Sequence, residues 1–123
     1  MQLSNDRFQG RNPARRLVMD LDGTICSSMG FDDYSKVKPV PSIIGKVNEL
    51  YEKGWHVTIH TARGMNTYKG DVQAVETALR SITEYWLEKH GVKYDALLFG
   101  KPQADVYVDD KGLKPFEFAC SGL

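Results

Sequence analysis

The sequence has no surplus of charge of either sign. Among its 123 residues, 16 Lys and Arg balance 16 Asp and Glu, which gives a formal net charge of +0 at pH 7. Nonspecific binding to nucleic acid or to an anionic membrane surface requires a basic surplus. The sequence also lacks any apolar run near the roughly 20 residues of a membrane-spanning helix. We therefore expect neither a nucleic-acid partner nor a membrane partner.

Cysteine is scarce, and a secretory leader is missing from the start. The two cysteines, Cys26 and Cys120, have no spacing typical of a metal or redox motif. The opening residues MQLSNDRFQGRNPARR are polar and unlike a signal peptide. Because disulfides are rare in the cytoplasm, we expect a cytoplasmic protein in which both cysteines are reduced thiols.

The chain divides into a tail and one domain. Residues 1–14 show no periodicity and mix Asn, Gln, Gly and Pro, so they are predicted to form a loose N-terminal tail. Residues 15–123 contain no internal repeat and no low-complexity tract. Their number is typical of a single domain, which is what we predict for them.

Short apolar runs alternate with helical patterns along that domain. Apolar residues at helical spacing predict a helix that begins near Pro41 and stops at Gly54, and a longer helix capped by Asp71 and ended by Gly91. A short helix is predicted to begin near Lys114. The apolar runs predict four buried strands at 17–19, 56–60, 96–99 and 106–108. This alternation predicts an α/β fold with a parallel sheet.

Polar residues of the kinds used in catalysis follow the first, second and fourth predicted strands, and one lysine lies just before the fourth. Ligands of open parallel sheets bind beyond the carboxyl ends of the strands, so these residues are expected to share one crevice. They are Asp20 and Asp22 after the first strand, Thr61 after the second, and Lys101, Asp109 and Asp110 around the fourth.

Four carboxylates in one crevice repel each other unless a cation neutralises them. Their hard oxygens suit Mg²⁺, which usually completes its coordination with waters and substrate phosphate oxygens. Lys101 and the Thr61 hydroxyl would then contact the same phosphoryl group. This combination of groups suits phosphoryl transfer.

The same residues carry a family resemblance. The pentapeptide DLDGT at 20–24 resembles motif I of the haloacid dehalogenase-like hydrolase superfamily, and Thr61, Lys101 and the Asp109-Asp110 pair match motifs II, III and IV in order. The segments HTARGMNTYKGD and FGKPQADVYVDDKGLKPFEF are also similar to short, capless phosphatase-like proteins of capsular polysaccharide biosynthesis. The resemblance implies a Rossmann-like parallel sheet of order 3-2-1-4 with helices on both faces and no cap.

The resemblance also implies catalytic roles. Asp20 would attack phosphorus and form an aspartyl-phosphate, and Asp22 would protonate the leaving oxygen and then activate water. Thr61 and Lys101 would bind the transferring phosphoryl group, with Lys101 taking part in catalysis.

A magnesium ion would be held by the acids of motifs I and IV. The resemblance places Mg²⁺ on Asp20, on the backbone carbonyl of Asp22 and on the motif IV pair. We favour Asp110 as the direct ligand and Asp109 as a water-mediated one, although the order of the two stays open.

The function expected on these grounds is Mg²⁺-dependent hydrolysis of a small phosphorylated metabolite. A sugar phosphate linked to surface-polysaccharide synthesis leads, and a nucleotide or another small metabolite is the alternative. A phosphorelay receiver has its acidic pair early and its phosphorylated Asp mid-chain, so the order of motifs argues against it. A non-catalytic binding relative usually loses a motif, and this chain keeps all four.

Substrate selection has no cap domain to rely on. The loops offer Tyr34, Arg63 and Lys69, of which Arg63 could place its fork on a second anionic group; a structural role for Arg63 stays open. His60, next to Thr61, fits packing as well as catalysis. A neighbouring subunit could cover the site, which would make the protein a homo-oligomer.

Overall fold

The structure, a computed structural model, describes residues 15–27 and 33–123. The sheet in these ranges has three parallel strands: β1 (Arg16–Met19), β2 (His56–Thr61) and β3 (Ala96–Phe99). The middle strand β2 pairs with both others. The predicted α/β class and parallel sheet are confirmed, and the 3-2-1 part of the predicted strand order is correct.

The helices begin and end at or next to the residues from which their bounds were predicted. Pro41 is the first residue of its helix, and Gly54, with φ +96°, follows its end. The Asp71 side chain caps the next helix by accepting a hydrogen bond from the Ala74 backbone N–H at 3.1 Å. The elements are a 3₁₀ turn (Tyr34–Lys36), α1 (Pro41–Glu52), α2 (Val72–Lys89) and α3 (Pro115–Ala119).

One face of the sheet is buried under these helices. Both crossovers step in the same direction along the sheet, so right-handed connections put α1 and α2 on the same face; α3 packs against α1. On the opposite face Val18 of the edge strand is 65% exposed, whereas Ala96 of β3 is buried. The Rossmann-like α/β architecture is confirmed, and a helix on the opposite face stays a prediction. The buried face consists of Leu17, Met19, Val57, Ile59, Thr61, Leu97 and Phe99.

The fourth predicted strand does not form. Residues 106–108 have no strand structure, and Val108 is 90% exposed. Tyr107 instead turns back within its own loop, where its ring covers the Lys101 Nζ at 4.3 Å and its hydroxyl donates to the Pro102 carbonyl. A run of three apolar residues is too short to show which element it pairs with. Among the described residues, β1 therefore pairs with β2 alone.

Two further expectations concern the ends and the surroundings of the chain. The predicted tail at 1–14 lies outside the described residues. In the ranges that are described, no helix combines the length and the apolar character needed to cross a membrane.

Candidate active site

A tight turn at the end of β1 holds the two motif I aspartates. The backbone N–H groups of Thr24, Ile25 and Cys26 all donate to the carbonyl of Leu21, at 3.1, 2.9 and 3.2 Å. Gly23 adopts φ +84°, the left-handed region open to glycine, and its N–H donates to the Cys26 carbonyl at 2.8 Å. Asp20 and Asp22 thereby lie on either side of the fully buried Leu21 at the carboxyl end of the strand.

Asp20 has a cation and a hydroxyl beside it. The Nζ of Lys101 lies 3.4 Å from Oδ1, and the Thr24 hydroxyl lies 3.4 Å from Oδ2. Lys101 is drawn to this position by its backbone, whose N–H donates to the Thr61 carbonyl at 3.1 Å. The structure therefore brings Asp20, Lys101 and Thr61 together at the carboxyl ends of the strands, as the sequence predicts.

The Thr61 side chain is buried at the end of β2. Its hydroxyl oxygen accepts a hydrogen bond from the Arg63 backbone N–H at 3.0 Å. A hydroxyl oxygen engaged in this way still has its own proton to donate. His60, the preceding residue, is half-buried, and burial together with the positive charge of Lys101 lowers its pKa.

Asp22 is gripped by Arg63. Arg63 Nε donates to Asp22 Oδ2 at 3.0 Å, and Nη2 donates to Oδ1 at 2.7 Å. The Arg63 side chain is 0% exposed, whereas the Asp22 side chain is 23% exposed. Two parallel charge-assisted bonds fix both the position and the plane of the carboxylate.

The remaining edges of the Arg63 guanidinium are also occupied. Nη1 donates to the hydroxyl of the buried Thr83 on α2 at 3.2 Å, and Nη2 lies 3.8 Å from the sulfur of Cys26. The Tyr34 ring covers the guanidinium with its centroid 4.1 Å away. The Arg63 guanidinium is occupied on all sides by other side chains, so the structural role that the sequence left open fits it better than the predicted substrate contact. Tyr34 is half-buried, and its predicted substrate contact stays a prediction.

Two members of this cluster, Cys26 and Thr83, were missed as site residues in the sequence. Burial, and after it the negative charge of Asp22, raises the pKa of the Cys26 thiol to about 12. Burial also raises the pKa of Tyr34. Cys26 could have been found from the sequence, because it follows Asp22 by four residues within a predicted turn. Thr83 could not, because it lies 20 positions after Arg63 on a separate helix and no local pattern links the two.

Lys69 lies in the exposed turn between β2 and α2. Its φ of +52° is left-handed, a conformation that costs a residue with a side chain about 1–2 kcal/mol. The side chain faces solvent, where a ligand can reach it.

The motif IV aspartates lie in the exposed segment before α3, and their printed side-chain bonds are to that same segment. Asp109 Oδ1 accepts the backbone N–H groups of Lys111 and Gly112 at 2.7 and 2.6 Å, and Asp110, 82% exposed, pairs with the Lys111 ammonium at 3.1 Å. Within 15–27 and 33–123, no three His, Cys, Asp or Glu side chains are placed to hold a metal ion. The described residues thus do not gather the motif IV pair with Asp20 and Asp22 into one cluster, and the role of Asp109 and Asp110 as magnesium ligands stays a prediction.

The chain resembles a protein of known structure over most of its length. It is 38% identical to a Vibrio cholerae protein whose crystal structure is known, over 89% of this chain and 90% of that one, with a TM-score of 0.84. No family model matches the chain, and no curated protein does.

More distant structures share the fold. A proposed HAD-like phosphatase from Mesorhizobium loti is 24% identical, with a TM-score of 0.57 over 77% of this chain and 47% of that chain. A chain of the Pnkp1/Rnl/Hen1 complex is 23% identical, with a TM-score of 0.55 over 89% of this chain and 35% of that chain. This protein therefore has a haloacid dehalogenase-like (HAD-like) fold and belongs to one family with the Vibrio cholerae protein.

Proposed function

We propose that this protein is a phosphatase that hydrolyses a small phosphomonoester through an aspartyl-phosphate. The observation that carries the proposal is the placement of the Asp20 carboxylate at the end of β1, with the Lys101 ammonium 3.4 Å from it and Asp22 two residues along the same turn. An exposed carboxylate beside a cation can receive a phosphoryl group, because the cation balances the charge that the phosphoryl oxygens bring.

The chain's own side chains supply the two halves of the reaction. Asp22 enters the first step protonated. An Asp20 oxygen attacks phosphorus, the bond from phosphorus to the ester oxygen breaks, and Asp22 gives its proton to that oxygen, so that an alcohol departs and an acyl phosphate stays on Asp20. Asp22, now a carboxylate, takes a proton from water, whose oxygen attacks the same phosphorus and releases inorganic phosphate and free Asp20. Lys101 and the Thr61 hydroxyl bind the phosphoryl oxygens in both steps.

Magnesium is part of the proposal as cofactor. The Asp20 carboxylate and the backbone carbonyl of Asp22 would offer the hard oxygens that Mg²⁺ prefers, and Mg²⁺ needs few protein ligands because waters and phosphate oxygens fill its shell. When bound, the ion would neutralise negative charge on the phosphate.

The substrate class is proposed from the resemblance and from the open side of the site. A sugar phosphate linked to surface-polysaccharide synthesis in the cytoplasm is the leading substrate, and a nucleotide or another metabolite is the alternative. Lys69 is the exposed cation after β2 that could contact its leaving group. A second subunit could cover the site, since Val106, Val108 and Tyr107 present apolar surface next to Lys101.

Phosphate release tests the proposal. Purified protein with millimolar Mg²⁺ is offered a panel of sugar phosphates, nucleotides and aryl phosphates. Asp20→Asn should abolish turnover and leave the fold intact, because the amide is nearly isosteric with the carboxylate. Trapping with beryllofluoride should modify Asp20 alone. Turnover of Asp20→Asn near the wild-type rate would refute the assignment of the nucleophile.

A further inference from the structure

The buried Arg63 links four separate parts of the chain around Asp22. It follows β2, and its guanidinium contacts Asp22 and Cys26 of the first turn, Thr83 of α2 and the Tyr34 ring. Each of these contacts limits the rotation of the guanidinium, and through the fork it limits the rotation of the Asp22 carboxylate.

The two oxygens of Asp22 are used unequally. Oδ1 receives Arg63 Nη2 at 2.7 Å and lies 3.4 Å from the Cys26 sulfur, whereas Oδ2 receives Arg63 Nε at 3.0 Å. Each carboxylate oxygen has two acceptor sites. The Cys26 thiol has one proton, which can go to Oδ1 or to the Leu21 carbonyl 3.6 Å away. Among the described residues, Oδ1 is therefore the more crowded oxygen, and Oδ2 keeps one acceptor site.

We propose that Arg63 is a positioning residue: its fork holds the Asp22 carboxylate so that Oδ2 is the oxygen that gives a proton to the leaving group and takes one from water. The inference rests on the proposed phosphatase function. Arg63 touches neither substrate nor phosphorus, and it acts only through Asp22. Misplacing a catalytic group by about 1 Å can cost on the order of 10²-fold in rate, so loss of the fork should be visible in kinetics.

Leaving-group dependence distinguishes positioning from mere support of the fold. A sugar or other alkyl phosphate needs a proton on its departing oxygen, whereas an activated aryl phosphate such as p-nitrophenyl phosphate does not. Arg63→Lys, which keeps the charge and removes the fork, should lower kcat for the alkyl phosphate by about tenfold or more beyond its loss for the aryl phosphate. Arg63→Met, which also removes the charge, should lower kcat for the alkyl phosphate further.

Two more variants complete the test. Thr83→Val removes one hydrogen bond that holds the guanidinium and leaves Asp22 in place, so it should lower the ratio of kcat for the alkyl phosphate to kcat for the aryl phosphate, as Arg63→Lys does. If Arg63→Lys does not fold, Thr83→Val alone tests the positioning role of Arg63. In the Asp22→Asn background, Arg63→Lys should leave the ratio unchanged, because the group it positions is already lost.

Arg80 offers a matched control. It also makes a fork, with Nε and Nη2 bonded to Glu76 at 2.5 and 3.1 Å, and it donates to the Leu97 carbonyl on the core side of the sheet. Arg80→Lys should cost stability and leave the alkyl-to-aryl ratio at its wild-type value.

The outcomes separate the inference from the function beneath it. No phosphate release by the wild type from any substrate would overturn the phosphatase proposal and the role of Arg63 with it. An active wild type with equal losses on both substrate types in Arg63→Lys and Thr83→Val, or an additive double variant, would overturn the role of Arg63 alone.

Discussion

At the scale of single residues, the neighbourhood of Asp22 decides which side chains can react. Cys26 contacts Asp22 and is fully buried, whereas Cys120 is exposed; both are free thiols. The two cysteines therefore have opposite accessibility, although the sequence offered the same reading for each. Chemistry that needs a thiolate at the surface is confined to Cys120.

Alkylation should separate the two thiols. The reactive species is the thiolate, and with its pKa raised to about 12 the Cys26 thiol is almost wholly protonated at pH 8. Iodoacetamide at pH 8 should add one group to the native protein, at Cys120, and two groups in urea, counted by mass spectrometry of the intact chain and its peptides. Native Cys120→Ser should take up none. An adduct on Cys26 in the native wild type would contradict the burial of this thiol.

At the scale of elements, the turn after β2 is pressed against α2. Gly64 has φ +79°, and a Cβ there would lie 2.7 Å from Leu79 Cδ1 and 3.2 Å from Val75 Cγ1. This close approach places Arg63 within reach of Thr83 on the same helix. The glycine thus sets the distance between β2 and α2 at the site.

Replacing Gly64 should therefore cost more than backbone strain. Gly64→Ala adds a clash with α2 to the left-handed strain, and the free energy of unfolding should fall by about 2–4 kcal/mol. Gly70→Ala is the matched control, because φ is +82° but nothing lies within 4 Å of its Cβ; it should cost about 1–2 kcal/mol. Urea unfolding of both variants measures the difference. Equal losses would show that α2 can yield at no cost.

Elements were predicted well where their signals are local. Pro41 and Gly54 bound α1 in the sequence, and Asp71 marks the start of α2, because a proline, a glycine or a capping side chain acts on the backbone next to it. The strand at 106–108 failed because pairing depends on a distant partner. The fork between Arg63 and Asp22 was beyond prediction for the same reason: the two residues are 41 positions apart.

At the scale of the whole molecule, the proposed magnesium ligands fall in two separate regions. Asp20 and Asp22 lie in the turn after β1, and Asp109 and Asp110 lie in the exposed segment before α3. Asp20 and Lys101 lie together as the convergence of strand ends predicts, and metal binding by the first group stays a prediction. The second group depended on the fourth strand. If both groups of aspartates bind the same Mg²⁺ ion, binding of the ion would hold the segment before α3 against the turn after β1.

Asp110→Ala tests this link. Asp110 is largely exposed and pairs only with its neighbour Lys111 among the described residues, so without metal the free energy of unfolding should change by less than about 0.5 kcal/mol. The Mg²⁺ concentration for half-maximal phosphate release should rise about tenfold or more. Asp105→Ala, an exposed aspartate of the same segment, should leave it unchanged. The same Mg²⁺ requirement in Asp110→Ala and wild type would remove Asp110 from the ligand set.

The ion pair between Arg63 and Asp22 also restricts the routes by which this sequence can change. Losing either partner alone strands a charge in or beside the interior, which typically costs about 3–5 kcal/mol, whereas replacing both with well-packed neutral side chains can be nearly neutral. A change of this sequence that removes the ion pair would therefore pass through a poorly stable single variant, or would alter both positions in one step. Asp22→Asn with Arg63→Met is the pair by which an engineer would silence the acid–base chemistry and keep the scaffold.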